Sequence, residues 1–204
     1  MSRQFISDQL VIASHNLGKI DEITDLMAPL GINVKNAIEL QLPEPIEDGL
    51  TFIENASIKA LSATSNSGLP ALADDSGLSI NALSGAPGIY SARWAETTKG
   101  RDFTAAMRRI HDELNKSDDF TARFTCALAL SWPDGHIESF EGHLNGEIVW
   151  PPRGTKGFGY DPIFQKLDDT RTFGEIGSME KQKISHRAIA FSKMLKSCFL
   201  QHNG

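Results

Sequence analysis

Two runs with strand character, Thr121 to Trp132 and His136 to Leu144, are separated only by Pro133-Asp134-Gly135. A link that short can join only antiparallel neighbours, so a β-hairpin is expected there. Elsewhere strands feed helices. Leu10 to Ala13 is a short apolar run, and beyond a Ser-His-Asn loop Ile20, Ile23, Leu26 or Met27, and Leu30 recur at helical spacing from Lys19 onward. Another strand is expected near Ile32 to Val34. A helix follows over Thr51 to Asn66, ended by Gly68, with Phe52, Ala56, Ala60 and Ala63 on one stripe and Asn55, Lys59, Ser62 and Asn66 on another. Leu69 to Ala73 reads as a buried strand that ends in an Asp74-Asp75-Ser76-Gly77 turn, with Leu78 to Leu83 extended again. Further helices are expected from Asp102 to Asn115 and from about His186, and Pro151 to Gly159 should be a loop. A hairpin among such units fits a mixed sheet better than a doubly wound parallel one.

At 204 residues the chain suits one folding unit, a single domain over residues 1–204, or two lobes sharing one sheet. Its 26 acidic against 20 basic side chains give a net charge of -6, which disfavours nucleic-acid backbones and anionic membranes as partners. Any phosphate ligand must therefore be held by a local basic or metal-filled site. The N-terminal stretch lacks an apolar leader core, and no run of about 18 apolar residues occurs. Cys126 and Cys198 have no metal-ligand spacing and make a poor disulfide framework, so a cytoplasmic location is expected.

The residues that can carry chemistry are few. Asp74 and Asp75 follow an apolar strand, where α/β proteins place working side chains. Two adjacent carboxylates repel, and a divalent cation would stabilise both; read alone, the pair is equally a solvated turn. Glu47, in an acidic loop with Glu44 and Asp48, can add an oxygen ligand or be a surface charge. No His or Cys cluster competes with a hard, magnesium-type site. Ser14-His15-Asn16-Leu17-Gly18-Lys19 has the parts of a phosphate cradle: an Asn helix cap, free amides behind it, a glycine and a lysine. It is not a Walker A loop. Lys59 alone reads as an exposed, snorkelling lysine. Phe158-Gly159-Tyr160-Asp161 can stack on a base and accept its hydrogen bonds, or anchor the core. Lys181 and Ser185-His186-Arg187 bring donors to the last helix, with Ser185 as its possible cap.

Taken in order, Ser14 to Lys19, Phe52 to Ala56, Ala73 to Leu78, Gly85 to Arg93, Gly157 to Phe164 and Ile184 to Arg187 resemble the inosine triphosphate pyrophosphatase family over nearly the whole chain. That resemblance implies an elongated central mixed sheet flanked by helices, in two lobes with the active-site cleft between them. It implies a magnesium-dependent, homodimeric hydrolase that converts inosine, deoxyinosine and xanthosine triphosphates to monophosphate and pyrophosphate.

Carried over by position, Asp75 resembles the general base and, with Glu47, a metal ligand, while Asp74 supports it. Lys19 and the loop Ser14, His15, Asn16, Leu17 and Gly18 would hold the triphosphate, with Lys59 beside it and Ser76 touching the nucleotide. Phe158, Gly159, Tyr160, Asp161, Lys181, His186 and Arg187 resemble the base-binding set. His15 stands where the family often has glycine, Trp94 where tyrosine is commoner, and Glu96 to Gly100 matches no motif. A Maf-type hydrolase of modified nucleotides and a non-catalytic nucleotide sensor are the rival readings.

Overall fold

The computed structural model describes residues 2–199. Among these residues eight strands and five α-helices occur in the order β1 (Gln9–Ile12), α1 (Leu17–Met27), β2 (Asn33–Asn36), α2 (Phe52–Ser67), β3 (Ala71–Ile80), β4 (Glu96–Thr97), β5 (Gly100–Arg101), α3 (Phe103–Leu114), β6 (Thr121–Ser131), β7 (Ile137–Ile148), β8 (Phe164–Lys166), α4 (Ser178–Ile184) and α5 (His186–Met194). Six strands form one sheet in the order β2-β1-β3-β6-β7-β8. β1 runs parallel to β2 and β3, and β8 runs antiparallel to β7, so the sheet is mixed.

The hairpin lies where the sequence put it, closed by Trp132 N–H to His136 O and Gly135 N–H to Trp132 O. β7 continues four residues past Leu144 because β8 pairs with Gly146–Ile148. The expected Asp-Ser-Gly turn does not form. β3 runs through Asp74, Asp75, Ser76 and Gly77 without a break, since its place between β1 and β6 supplies ladder partners that override local turn propensity.

By compactness the chain divides into two units: residues 1–75, 126–142 and 187–204, and residues 76–125 and 143–186. In the first, side chains alternate across the sheet as strand geometry requires. Leu10, Ile12, Leu72, Cys126, Leu128 and Leu130 pack against Ile20, Ile23 and Met27 of α1 and against Ala190, Phe191 and Met194 of α5. On the opposite face Val11, Ala13, Ala71, Ala73, Ala127 and Ala129 meet Ala56, Ala60 and Ala63 of α2. One layer is built of large side chains and the other of methyl groups, which lets α2 approach the sheet closely.

Helix termini are set by side chains. Asn16 caps α1 by accepting the Lys19 amide. Thr51 and Glu54 form a reciprocal capping box on α2, and Gly68 ends that helix in the left-handed conformation. In the second unit α3, capped by Asp102, buries Met107, Ile110 and Leu114 against Leu78 and Ile80 of β3, Phe124 of β6, Leu144 and Ile148 of β7, and Phe164 of β8. The unfamiliar Glu96 to Gly100 stretch is the small β4–β5 ribbon.

Candidate active site

The alternation of β3 decides the fate of the acidic pair. Asp74 shares a face with Leu72 and so points into the layer of α1 and α5, whereas Asp75 shares a face with Ala73 and points toward α2. The two carboxylates thus sit on opposite sides of the sheet, each with its own lysine. The expectation that mutual repulsion calls for one shared cation is replaced by this separation.

Asp74 is buried and fully paired. Lys19 Nζ lies 2.6 Å from Oδ1, while Oδ2 accepts from Arg187 Nε and from the Cys126 thiol, each at 2.9 Å. Burial alone would raise this carboxyl, but Arg187 and Lys19 outweigh it and hold it well below the usual aspartate range. Arg187 also donates to Glu22, three residues after Lys19 on α1. Burial would depress the guanidinium, and the two carboxylates hold it raised instead.

Asp75 is the contrast. Lys59 Nζ is 2.8 Å from its Oδ1 and 3.0 Å from Glu47 Oε1, so one ammonium bridges two carboxylates. Oδ2 is buried and has no hydrogen-bond partner among the described residues. Burial, joined by the nearby charge of Glu47, outweighs Lys59 and Lys19 and pushes the Asp75 carboxyl up from its ordinary value. Burial would lower Lys59, but Asp75 and Glu47 carry it above the usual lysine value. Lys59 is therefore no solvated surface lysine: its side chain is 11% exposed.

The loop before α1 is organised around its cap. Asn16 N–H donates to Ser14 Oγ at 3.1 Å, and Asn16 Oδ1 accepts from Lys19 N–H at 3.2 Å. Leu17 and Gly18 open the helix, where amides have no intrahelical acceptor, and Leu17 is exposed. The His15 ring donates from Nε2 to Leu42 O at 3.0 Å, a contact that glycine at this position would lack. It ties the phosphate-type loop to the segment leading toward Glu47.

In the second unit the other predicted residues converge. Asp161 is buried and its Oδ2 accepts from Phe158 N–H at 2.8 Å and from Lys181 Nζ at 2.6 Å. Gly157, at φ +73, makes this possible, since a Cβ there would lie 2.0 Å from the same oxygen. Lys181 sits 4.7 Å above the Phe158 ring. His186 stacks on Phe124 at 4.8 Å. Tyr160 takes the core-anchoring role: its hydroxyl donates to Ser91 O at 2.8 Å and its ring meets Phe103 edge-on. Burial raises its phenol. Ser91 Oγ in turn accepts from Leu78 N–H at 2.8 Å, so the Gly85 to Arg93 segment ties the strand after Ser76 to the aromatic loop. Ser76 is half-buried.

One feature departs from the sequence expectation. Arg187, expected beside a base, is buried behind Asp74, while Lys181 and His186 stay with the aromatic group. Asp74, expected to support Asp75, has both carboxylate oxygens engaged by Lys19, Arg187 and Cys126. Glu22 and Cys126 were not singled out, although the three-residue spacing of Glu22 from Lys19 marks one helix face and Cys126 falls on an alternating strand.

In the first unit, two carboxylates in a strand interior, each paired with its own lysine, lie on a mixed α/β sheet with a capped helix start. Residues 10–197 match the model of the Ham1 family, and the chain belongs to that family. It is 52% identical over 210 residues to a protein of Agrobacterium fabrum named dITP/XTP pyrophosphatase, with 96% of this chain and 98% of the relative covered. A protein of the same name from Rhodospirillum centenum is 55% identical, with 97% and 98% covered. Among solved structures, a HAM1 protein from Coxiella burnetii superposes with a TM-score of 0.84 at 38% identity over 92% of this chain and 96% of that one. The Staphylococcus aureus Ham1 protein gives 0.81 at 34% over the same shares.

Proposed function

We infer that this chain hydrolyses inosine, deoxyinosine and xanthosine triphosphates to the monophosphate and pyrophosphate, clearing deaminated purines from the nucleotide pool. Relatives named dITP/XTP pyrophosphatase, 51–52% identical over nearly the full chain, support the activity. The observation that carries the mechanism is Asp75: a buried carboxylate with one oxygen engaged by Lys59 and the other without a donor.

Asp75 Oδ2 takes the proton of a water whose oxygen bonds to the α-phosphorus. The bond from that phosphorus to the bridging oxygen breaks, and pyrophosphate leaves. Lys19, the first amides of α1 and Lys59 hold and neutralise the phosphates. Asp74 acts at one remove by anchoring Lys19.

The donors fit magnesium. Asp75 Oδ1 and Glu47 Oε1 already share one cation in Lys59, and these two oxygens would hold the ion, leaving Asp75 Oδ2 to take the proton. Such an ion takes a few carboxylates and completes its shell with water and substrate phosphates. When bound it would supply charge neutralisation of the phosphate oxygens. Among the described residues no group of three His, Cys, Asp or Glu converges, so the protein's share is this pair.

For the base, Phe158 offers a ring, and Lys181 and His186 offer donors to a 6-oxo group, with Gly159, Tyr160 and Asp161 shaping the loop. Adenine presents an amino donor to those donors and leaves them unpaired. We place the enzyme in the cytoplasm as a homodimer, testable by light scattering. No helix among the described residues is long and apolar enough to cross a membrane.

Initial rates over inosine, xanthosine and adenosine triphosphates, with and without magnesium, test the reading. Magnesium-dependent pyrophosphate release favouring the oxo-purines is expected, and release of single phosphates would refute it. Asp75→Asn should fold and lose about 10²–10⁴ in kcat; turnover near that of the wild type would remove Asp75 from the role of base.

A further inference from the structure

Glu47 stands in a stretch, residues 43–50, with no regular secondary structure. Apolar burial does not hold it there: Ile46 is 84% exposed and Leu50 82%. Even so, its carboxylate reaches 3.0 Å from Lys59 Nζ. The contacts that seat this loop come from the first turn of α2. Gly49 N–H donates to Asn55 Oδ1 at 2.9 Å, and the amides of Leu50 and Thr51 donate to Glu54 Oε2 at 2.6 and 3.1 Å. Glu54 is exposed and serves the helix cap. Asn55 is completely buried.

Asn55 and Lys59 are four residues apart on α2 and share a face. One side chain on that face fixes the loop, and the next engages the acid that the loop carries. The fit between loop and helix is close, for a Cβ on Gly49 would lie 2.7 Å from Asn55 Oδ1 and 2.7 Å from Glu54 Cβ. Because Gly49 presents an N–H, the oxygen of the amide must face it, which sets the orientation of the side chain. Asn55 Nδ2 is then buried without a hydrogen-bond partner among the described residues. A buried amide left half satisfied is a poor choice for packing alone on a helix otherwise lined with alanine.

We propose that Asn55 is a positioning residue that, through Gly49, seats Glu47 beside Lys59 and Asp75. The proposal rests on reading Glu47 as an acidic ligand of the site. Outer partners that orient a ligand typically change metal affinity or activity about 10–100-fold when removed.

Two variants break the contact from opposite sides. Asn55→Leu keeps the bulk and removes the acceptor, while Gly49→Ala crowds the contact from the loop side. Each is measured for pyrophosphate release and, without nucleotide, for magnesium affinity by titration calorimetry. Both are expected to lose about 10-fold or more in kcat/KM and to bind magnesium correspondingly more weakly. In a Glu47→Gln background neither should cost more than about two-fold further, because the acid they position is already gone. Wild-type affinity and rates in both variants would overturn the proposal, and so would losses that persist in full in the Glu47→Gln background. If Glu47→Gln itself matches the wild type in rate and magnesium affinity, the reading of Glu47 fails and the proposal falls with it.

Discussion

Replacing Arg187 by leucine should destabilise the fold more than any surface change, and its size follows from the environment of Asp74. The guanidinium and the carboxylate are 2% and 0% exposed, and Nε is 2.9 Å from Oδ2. Removing one member of a buried pair typically costs about 3–5 kcal/mol, because the other charge stays behind unpaired. Lys19 and Cys126 remain on Asp74, so the low end, about 3 kcal/mol, is expected. At about 2–4 °C per kcal/mol for a chain of this length, Tm should fall by about 6–12 °C at pH 7.

The deficit should also depend on pH. Asp74 titrates lower in the folded protein than in the unfolded chain, so its contribution is present above about pH 4 and fades as pH falls toward the folded value. The gap between wild type and variant should therefore narrow in acid. Thermal melts by circular dichroism at pH 7 and below pH 4 measure both effects. A fall under about 2 °C at pH 7, or a gap that is the same at both pH values, would refute the assignment of Arg187 as the buried partner of Asp74.

Lys59→Met should raise magnesium affinity about 10-fold in calorimetry without nucleotide, since the ion no longer displaces an ammonium held by two charge-assisted bonds, while turnover falls. An unchanged or weaker affinity would show that Lys59 and the ion do not compete. Thr51→Ala removes the α2 cap acceptor and should cost about 1 kcal/mol in urea unfolding, with an unaltered m-value.

Periodicity and turn chemistry made much of this fold legible. The Pro133-Asp134-Gly135 hairpin, the Asn16 cap, the α2 stripe and the Asp102 start are local signals that the structure keeps. Ser76-Gly77 misled because a β-sheet interior overrides what four residues prefer alone. α4 and β8 were missed because seven and three residues are too short to show a period. The candidate residues could be named, but not their partners. Lys59 looked solvated until β3 brought Asp75 to it, and Arg187 found Asp74 at a separation of 113 residues, beyond any local pattern.

The methyl-lined contact between α2 and the sheet has a bearing on how such a protein can vary over time. The face of leucine, isoleucine and methionine can exchange one large side chain for another at little loss. Ala56, Ala60, Ala73 and Ala129 have no smaller neighbour to trade with except glycine, and any larger residue would prise the helix outward. Because α2 carries both Lys59 and Asn55, the half of the core with the least freedom to drift is the half that sets the reach of the reacting groups.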